Sequence, residues 1–225
     1  MREKQPMAGK RPPFDINNLC ITVFYLVPSS RVREEVPEPL KIIEVLPGMT
    51  IGGVYAARYA KAGGACAGEF GIFESFAEHE GRKGFFMPRI MRDCGTSDGS
   101  VADANVSWRI EGSRVAVSIS SGGHPLATLK MRPLIGSLTV NASFPFFCTK
   151  NGNVVFFQNH YIKKIGISAT DLSIPKESPL RDNPFGLKVL STFWDTANII
   201  IKEPEYVPKR AIKAPELGIP IGKST

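Results

Sequence analysis

The side chain with the clearest chemical potential is Glu69, a single carboxylate within a run of small residues. If this run forms a strand, alternation places Glu69 on one face with Ala65, Ala67, Gly71 and Phe73. Small neighbours leave room in front of the carboxyl group, and an apolar enclosure would favour its protonated form. Glu69 is therefore a candidate catalytic acid or base. The alternative is a solvent-facing or salt-bridged glutamate on an outer face.

A second candidate is the pair formed by Lys130 and Arg132, which would share one face of a strand with Thr128. Leu129 and Met131 would then occupy the opposite face. If the charged face were internal, repulsion between the two cations would favour a neutral amine, which an imine-forming lysine requires. Lys130 is thus a candidate catalytic residue and Arg132 a candidate ligand for a substrate carboxylate. The alternative is an outer, solvated face.

The other reactive side chains do not form a known type of site. The cysteines are scattered without a Cys-x-x-Cys pair, and no histidine stands at a metal-ligand spacing, so we predict reduced thiols and no metal. The glycine pairs lack the spacing of a phosphate loop, and no Gly-x-Ser-x-Gly motif is present. We therefore expect no cofactor, and neither a nucleotide enzyme nor a serine hydrolase. The residues concerned are Cys20, Cys66, Cys94, Cys148, His79, His124 and His160.

The elements that would position these residues are mostly strands. Residues 19–26, 113–120 and 153–158 are rich in β-branched and aromatic side chains, which favour strands. Gly112 and Gly152 predict tight turns, because glycine tolerates positive φ. Helix is scarce. Two short helices are predicted, one from Ser29 to Glu35 and one within residues 179–192, before a last strand over 193–201.

The segment from Tyr25 to Leu40, which ends in the motif V-P-E-P-L, resembles the opening segment of the acetoacetate decarboxylase-like superfamily. The resemblance extends over roughly residues 20–200. It implies a mainly β (α+β) fold, an antiparallel cone-shaped or closed β-barrel with an internal cavity and a few short helices. The other segments that carry it are residues 57–70, 85–93, 124–134, 145–147 and 169–180.

The same resemblance implies that Glu69 is the family's cavity-facing carboxylate. Other positions depart from the family pattern, since Asn18 stands where an arginine is expected and Val54 where a second carboxylate is expected. The family's imine-forming lysine pair should lie within residues 94–107, which contain no lysine. The resemblance therefore implies a lyase of decarboxylase type, or a related acid–base catalyst, that does not use the usual lysine route. The alternative is a non-catalytic protein that binds a small keto or carboxylic compound.

The composition of the 225 residues predicts one domain over 18–203, with an N-terminal extension over 1–17 and an extended C-terminal tail over 204–225. The net charge of +7 is concentrated at the ends, with +3 in residues 1–12 and +2 in residues 202–225. The remaining +2 gives no basic footprint for nucleic acid. No apolar run is long enough for a membrane span, and the polar start is unlike a signal peptide, so we predict a cytoplasmic protein. Related barrels assemble, and the proline-rich tail is a plausible strap, so we also predict a homo-oligomer.

Overall fold

A computed structural model describes residues 19–60, 66–93, 101–150, 152–183, 185–201 and 205–207. These residues form a single 14-stranded sheet and one short helix. The elements are β1 (Leu19–Pro28), α1 (Ser29–Val32), β2 (Lys41–Ile42), β3 (Met49–Ala60), β4 (Cys66–Phe73), β5 (Ser75–His79), β6 (Arg82–Phe86), β7 (Arg89–Arg92), β8 (Val101–Asp103), β9 (Asn105–Glu111), β10 (Arg114–Ser121), β11 (His124–Lys150), β12 (Asn153–Ser173), β13 (Leu187–Ile201) and β14 (Glu205–Tyr206).

The sheet is almost entirely antiparallel and curls into a nearly closed barrel, which confirms the predicted fold class. Neighbouring strands follow the order β2-β5-β6-β11-β12-β13-β1-β3-β4-β7-β8, while β10 pairs with β9 and β11, and β14 pairs with β12. The contacts of β6 with β11 and of β7 with β8 are parallel. The strands β1, β3 and β4 lie side by side in the middle of this order.

The strands β1, β3 and β4 are buried on both faces, because each face packs against a different apolar layer. On one face, Val23 and Phe70 belong to a core that also contains Leu129 of β11. On the other face, Tyr55 and Phe73 pack with side chains from β6 and the second half of β11. This second face holds the candidate site, and we call the apolar space between it, β6 and the second half of β11 the barrel interior.

The long strand β11 connects these two layers. Its first part pairs with β10, and residues Phe146 and Phe147 near its end pair with β6. The register with β12 shifts twice between Pro133 and Leu138, which marks irregularities of the strand at that point. One continuous strand therefore contributes side chains to both apolar layers.

The helical predictions were less accurate than the strand predictions. The first helix is limited to Ser29–Val32 and has no side-chain cap hydrogen bond. The helix predicted within residues 179–192 is wrong, because β13 already begins at Leu187, where it pairs with Leu26 of β1. The turns at Gly112 and Gly152 are confirmed, with φ of 59° and 73°.

The start of the predicted C-terminal tail lies against the barrel. Glu205 and Tyr206 pair with β12, and Arg82 forms an ion pair with Glu205 at 2.8 Å. Val207 is buried, and its N–H donates to the carbonyl of Val154 at 2.9 Å. The N-terminal extension lies outside the described residues. Within the described residues, none of the helical segments has the length and apolar character that a membrane span needs.

Candidate functional site

Glu69 lies on the barrel-facing side of β4 and is 7% exposed. It is directly opposite Ala57 on β3 and Arg92 on β7. In alternation it shares this face with Phe73, which belongs to the apolar layer inside the barrel. The structure therefore places the carboxylate in the interior, where a charged group requires hydrogen-bonding partners.

Two donors hold the Glu69 carboxylate. The hydroxyl of Tyr55 donates to Oε1, and the Nε–H of Arg92 donates to Oε2, so that each carboxylate oxygen accepts one short hydrogen bond. Arg92 also forms an ion pair with Glu69. Tyr55 is buried, whereas the side chain of Arg92 is 37% exposed. Arg92 thus connects the buried carboxylate with solvent.

Gly71 makes the contact between Tyr55 and Glu69 possible. Tyr55 is directly opposite Gly71 in the pairing of β3 with β4, two residue pairs away from Glu69. A Cβ atom on Gly71 would lie 2.0 Å from Cε1 of Tyr55 and 2.8 Å from its hydroxyl oxygen. The tyrosine ring therefore lies across the bare glycine backbone and reaches the carboxylate two residue pairs along the ladder.

The strands that carry Glu69 and Arg92 are joined by their neighbouring residues, Gly68 and Asp93. The N–H of Gly68 donates to Oδ2 of Asp93 at 2.7 Å. In return, the N–H of Asp93 donates to the carbonyl of Gly68 at 3.1 Å. This reciprocal pair fixes the register of β4 and β7, which sets the distance between the carboxylate and the guanidinium.

An aromatic chain occupies another part of the barrel interior. Phe73 and Phe85 have ring centroids 4.9 Å apart, Phe85 and Phe144 are 5.0 Å apart, and Phe144 meets Trp194 edge-on at 5.4 Å. The polar cluster of Tyr55, Glu69 and Arg92 is therefore part of an interior that is otherwise apolar and aromatic. This combination is typical of sites that bind small organic molecules.

Lys130 and Arg132 do not join this cluster, because both side chains are exposed and lie on β11, four strands away from Tyr55 on β3. The intervening Leu129 and Met131 are 0% and 2% exposed and belong to the apolar core. Strand alternation directs the two cations outward because burying these apolar side chains outweighs any internal role for the charges. The exposed positions of Lys130 and Arg132 do not agree with an internal pair of cations in the barrel.

The cation beside Glu69 is Arg92, which the sequence analysis did not single out. Arg92 lies in segment 85–93, so the resemblance pointed to its strand but not to its role. Tyr55 was also missed, although it directly follows Val54, the position compared with the family's second carboxylate. Val54 is fully buried on the opposite face of β3, whereas Tyr55 faces Glu69. Both residues could have been identified by the alternation of side chains along the strands if the pairing of β4 with β3 and β7 had been known.

Part of the predicted comparison with the family falls outside the described residues. The positions outside the described residues include Asn18 and residues 94–100 of the segment without lysine. Among the lysines whose side chains the structure describes, none is buried. Over the same described part of the chain, no group of three histidine, cysteine or acidic side chains could hold a metal ion.

A second buried carboxyl group, Glu74, lies where β4 meets β5 and is 4% exposed. Its Oε2 atom has no hydrogen-bond partner. Burial, followed by the charge of Glu35, raises the pKa of Glu74 to about 7, although Arg89 opposes the shift. Glu74 therefore titrates near neutral pH and is the most electrostatically unusual carboxyl group described.

Solved structures share the architecture of this chain. The enduracididine biosynthesis enzyme MppR, complexed with pyruvate, matches with a TM-score of 0.67 and 14% identity over 85% of this chain and 89% of that chain. An acetoacetate decarboxylase matches with a TM-score of 0.64 and 17% identity over 92% and 97%. An acetoacetate decarboxylase-like enzyme from Sphingomonas wittichii RW1 matches with a TM-score of 0.58 and 12% identity over 88% and 95%.

These matches show that the chain has the acetoacetate decarboxylase-like fold, as the sequence resemblance implied. No protein-family model and no curated protein sequence matches the chain. The likeness therefore lies in the course of the backbone, and the chemistry must be argued from the side chains of the site.

Proposed function

We propose, on the basis of this acetoacetate decarboxylase-like fold, that the protein binds a small keto or carboxylic acid inside its barrel and acts on it by acid–base catalysis. The observation that carries the proposal is the buried Glu69 carboxylate, held by Tyr55 and Arg92 within an otherwise apolar and aromatic interior. A carboxylate in such surroundings is an unfavourable structural element unless its partners compensate for its burial. A site that needs a positioned base and a cation for an anionic substrate explains why all three groups are present.

Each residue of the cluster has a distinct role in this proposal. Glu69 removes or returns a proton. Arg92 binds the carboxylate or the developing enolate of the substrate, because its guanidinium lies beside Glu69 and its side chain is 37% exposed. Tyr55 orients Glu69 by donating its single hydroxyl hydrogen to Oε1. Arg92 replaces Arg132 as the residue proposed to hold a substrate carboxylate.

The simplest reaction is reversible removal of a proton from the carbon next to the keto group. The proton passes to Glu69, and the electrons of the C–H bond form a double bond between this carbon and the carbonyl carbon. The carbonyl group thereby becomes an enolate, with the negative charge on its oxygen. Hydrogen bonds from Arg92 stabilise the enolate. In the decarboxylation of a β-keto acid, the electrons of the breaking carbon–carbon bond would form the enolate of the product ketone as carbon dioxide leaves, and a proton would then be delivered to its carbon.

This route requires no imine. A free lysine has a pKa of about 10.4, so an imine catalyst needs a nearby cation or an apolar enclosure to make its amine neutral. Residues 94–107 supply no lysine, and the described lysine side chains are not buried. Borohydride reduction in the presence of acetoacetate should therefore leave no adduct detectable by mass spectrometry. A stoichiometric adduct with release of carbon dioxide would contradict the non-imine route.

The proposal is tested by exchange of the substrate's protons with solvent. Pyruvate and acetoacetate are incubated with the protein in D2O, and loss of the protons next to the keto group is followed by NMR. The variant Glu69→Gln keeps the side-chain volume but removes the base, so exchange above the uncatalysed rate should fall by roughly 100-fold or more. The exposed Glu177→Gln variant is the matched control and should retain full exchange. Equal exchange by both variants would contradict a role for Glu69 as the base.

The alternative function is a binding protein without catalysis, which is favoured by the absence of lysine from residues 94–107. In that case calorimetry should show binding of pyruvate or a related acid, and no exchange should exceed the rate in solvent. Arg92→Gln should weaken this binding by at least tenfold, because a charge-assisted hydrogen bond contributes about 1.5–3 kcal/mol. Exchange in the wild-type protein decides between the two functions.

A further inference from the structure

A groove of about 370 Å³ lies on the exposed surface of the sheet, and Tyr55, Glu69 and Arg92 are not among the residues that line it. It crosses the four neighbouring strands β9, β10, β11 and β12. The outward side chains of Ala116 and Ala169 are small, and this leaves a depression between longer neighbours. The groove is lined by Arg109, Glu111, Arg114, Val115, Ala116, Lys130, Met131, Arg132, Ala169 and Asp171.

Strand register brings the cations of the groove together. Ala116 is opposite Arg109 on one side and Lys130 on the other. Val115 pairs with Met131, so the residues next to them, Arg114 and Arg132, face each other across the ladder. Side chains in such cross-strand positions have Cβ atoms about 4.5–5.5 Å apart. Three of these cations, Arg114, Lys130 and Arg132, therefore lie within reach of one small ligand.

The two acids of the groove are opposite two of these cations in the strand pairing, Glu111 opposite Arg114 and Asp171 opposite Lys130, but both acids form their ion pairs with other residues. Glu111 accepts from Arg109, with distances of 2.8 Å to Nε and 2.5 Å to Nη2. Asp171 forms its ion pair with Lys188, at 3.7 Å. Within the described residues, Arg114, Lys130 and Arg132 have no ion-pair partner. Like charges that face each other across strands destabilise a sheet, and a bound anion would remove that cost.

The position of the acids limits the size of the ligand. Glu111 lies on β9 and Asp171 on β12, so that each flanks the cations on β10 and β11 from one side. A nucleic-acid backbone requires a continuous basic track, whereas this basic region is closed by a carboxylate at both edges. The groove is therefore suited to a compact anion of high charge.

We propose that this groove is a binding site for a phosphate-class oxyanion, the phosphate or pyrophosphate group of a small phosphorylated molecule. The facing guanidinium groups of Arg114 and Arg132 can each donate two parallel hydrogen bonds to phosphate oxygens. Lys130 supplies the third positive charge. A monocarboxylate of the kind proposed for the barrel interior would satisfy only one of these cations, so the groove and the interior bind different ligands.

The proposal is tested with inorganic pyrophosphate as the probe and the full-length protein. Calorimetry at low ionic strength should show binding to the wild-type protein, and the double variant Arg114→Gln/Arg132→Gln should bind at least tenfold more weakly. Pyrophosphate should also raise the Tm of the wild-type protein but not that of the double variant. Both substituted side chains are exposed, so the variant should fold, which circular dichroism verifies. The matched control Lys176→Gln/Arg181→Gln, with exposed cations outside the groove, should bind normally.

Three outcomes would overturn the proposal. The first is equal binding of pyrophosphate by the wild-type protein and the groove variant. The second is binding of citrate as tightly as pyrophosphate, which would show a site for charge alone. The third is displacement of pyrophosphate by single-stranded oligonucleotides with an affinity that rises with their length, which would show a basic track. Glu69→Gln should leave pyrophosphate binding unchanged, so failure of the proposed function at Glu69 and failure of the groove are separate results.

Discussion

The hydroxyl of Tyr55 is the smallest feature on which the candidate site depends. Tyr55→Phe keeps the ring above Gly71 but removes the donor to Glu69. A buried acceptor that loses a partner costs about 1–3 kcal/mol, so urea unfolding should show a loss of stability in that range. Proton exchange of the keto acid should fall as well, because Glu69 is no longer oriented. Unchanged stability and exchange would show that the hydroxyl contributes nothing to the site.

Glu74 predicts a specific dependence of stability on pH. Its pKa in the folded protein is about 7, compared with an ordinary value of 4.5, so the folded state retains a proton that the unfolded chain has lost. The contribution of Glu74 to stability is therefore greatest below pH 4.5 and declines as the pH rises towards 7. Glu74→Gln should flatten this decline and stabilise the protein at pH 8, by up to about 1.4 kcal/mol for each unit of pKa shift removed.

Denaturant unfolding at pH 5 and pH 8 measures this effect. Glu35 and Arg89 are the charged neighbours that act on Glu74, so both are kept unchanged in the comparison. Glu78→Gln, on the adjacent strand β5, is a suitable control because it removes the carboxylate of a residue that is only partly buried. A Glu74→Gln variant with the same pH dependence as the wild-type protein would contradict the prediction.

At the scale of elements, the pairing of β3 with β4 depends on glycine at Gly71. A Cβ atom there would lie 2.0 Å from the Tyr55 ring, so Gly71→Ala must displace Tyr55 from Glu69 or separate the strands. We expect a loss of about 1–3 kcal/mol from overpacking, together with the same fall in proton exchange that is predicted for Tyr55→Phe. The control is Gly136→Ala, because a Cβ atom at Gly136 would have nothing within 4 Å. Equal stabilities of the two variants in urea would contradict the role of Gly71.

The element β11 explains why its charged and apolar residues have such different surroundings. The first half of the strand covers the core with Leu129 and Met131, and its outward face contributes Lys130 and Arg132 to the groove. After the register shifts, its second half contributes Phe144 to the aromatic interior. Different parts of this one strand therefore contribute side chains to the apolar core, to the exposed groove and to the aromatic interior.

At the scale of the whole molecule, most of the exposed large hydrophobic side chains lie on three neighbouring strands. Those on β11, β12 and β13 are Leu134, Ile135, Leu138, Ile167, Leu187, Val189 and Leu190, with exposures of 39–74%. Ile135 is directly opposite Ile167, and we call the seven side chains together the apolar patch. Exposed patches of this kind are typical of protein–protein contacts.

The apolar patch supports the prediction that the protein is a homo-oligomer. Light scattering of the wild-type protein should give a mass above that of one chain, 24.6 kDa. The double variant Ile135→Lys/Leu138→Lys should shift the mass towards a single chain, because two charges in a buried interface are unfavourable. Leu46→Lys, which changes a side chain 53% exposed outside the patch, is the control. A monomeric wild-type protein at micromolar concentration would contradict the prediction.

From the sequence alone, the class of fold could be predicted and one candidate residue, Glu69, could be singled out. Strand propensity and glycine turns are local properties, so β1, β10 and the hairpin at Gly112 could be predicted from adjacent residues. The motif that ends at Leu40 led to the barrel, which the solved structures confirm. Glu69 was identified because its small neighbours and the resemblance agreed, and the structure places it inside the barrel.

The side chains that contact Glu69 are determined by the tertiary structure. Tyr55 and Arg92 lie 14 and 23 residues from Glu69 in sequence, and their contacts depend on the register of two separate strand pairs. Register is set by pairing across the sheet, and a shift of one residue would turn every side chain to the other face. Alternation alone could not say which face of β11 was internal, and burial of Leu129 and Met131 placed Lys130 outside. A local pattern specifies a strand, whereas a site requires the positions of several strands relative to one another.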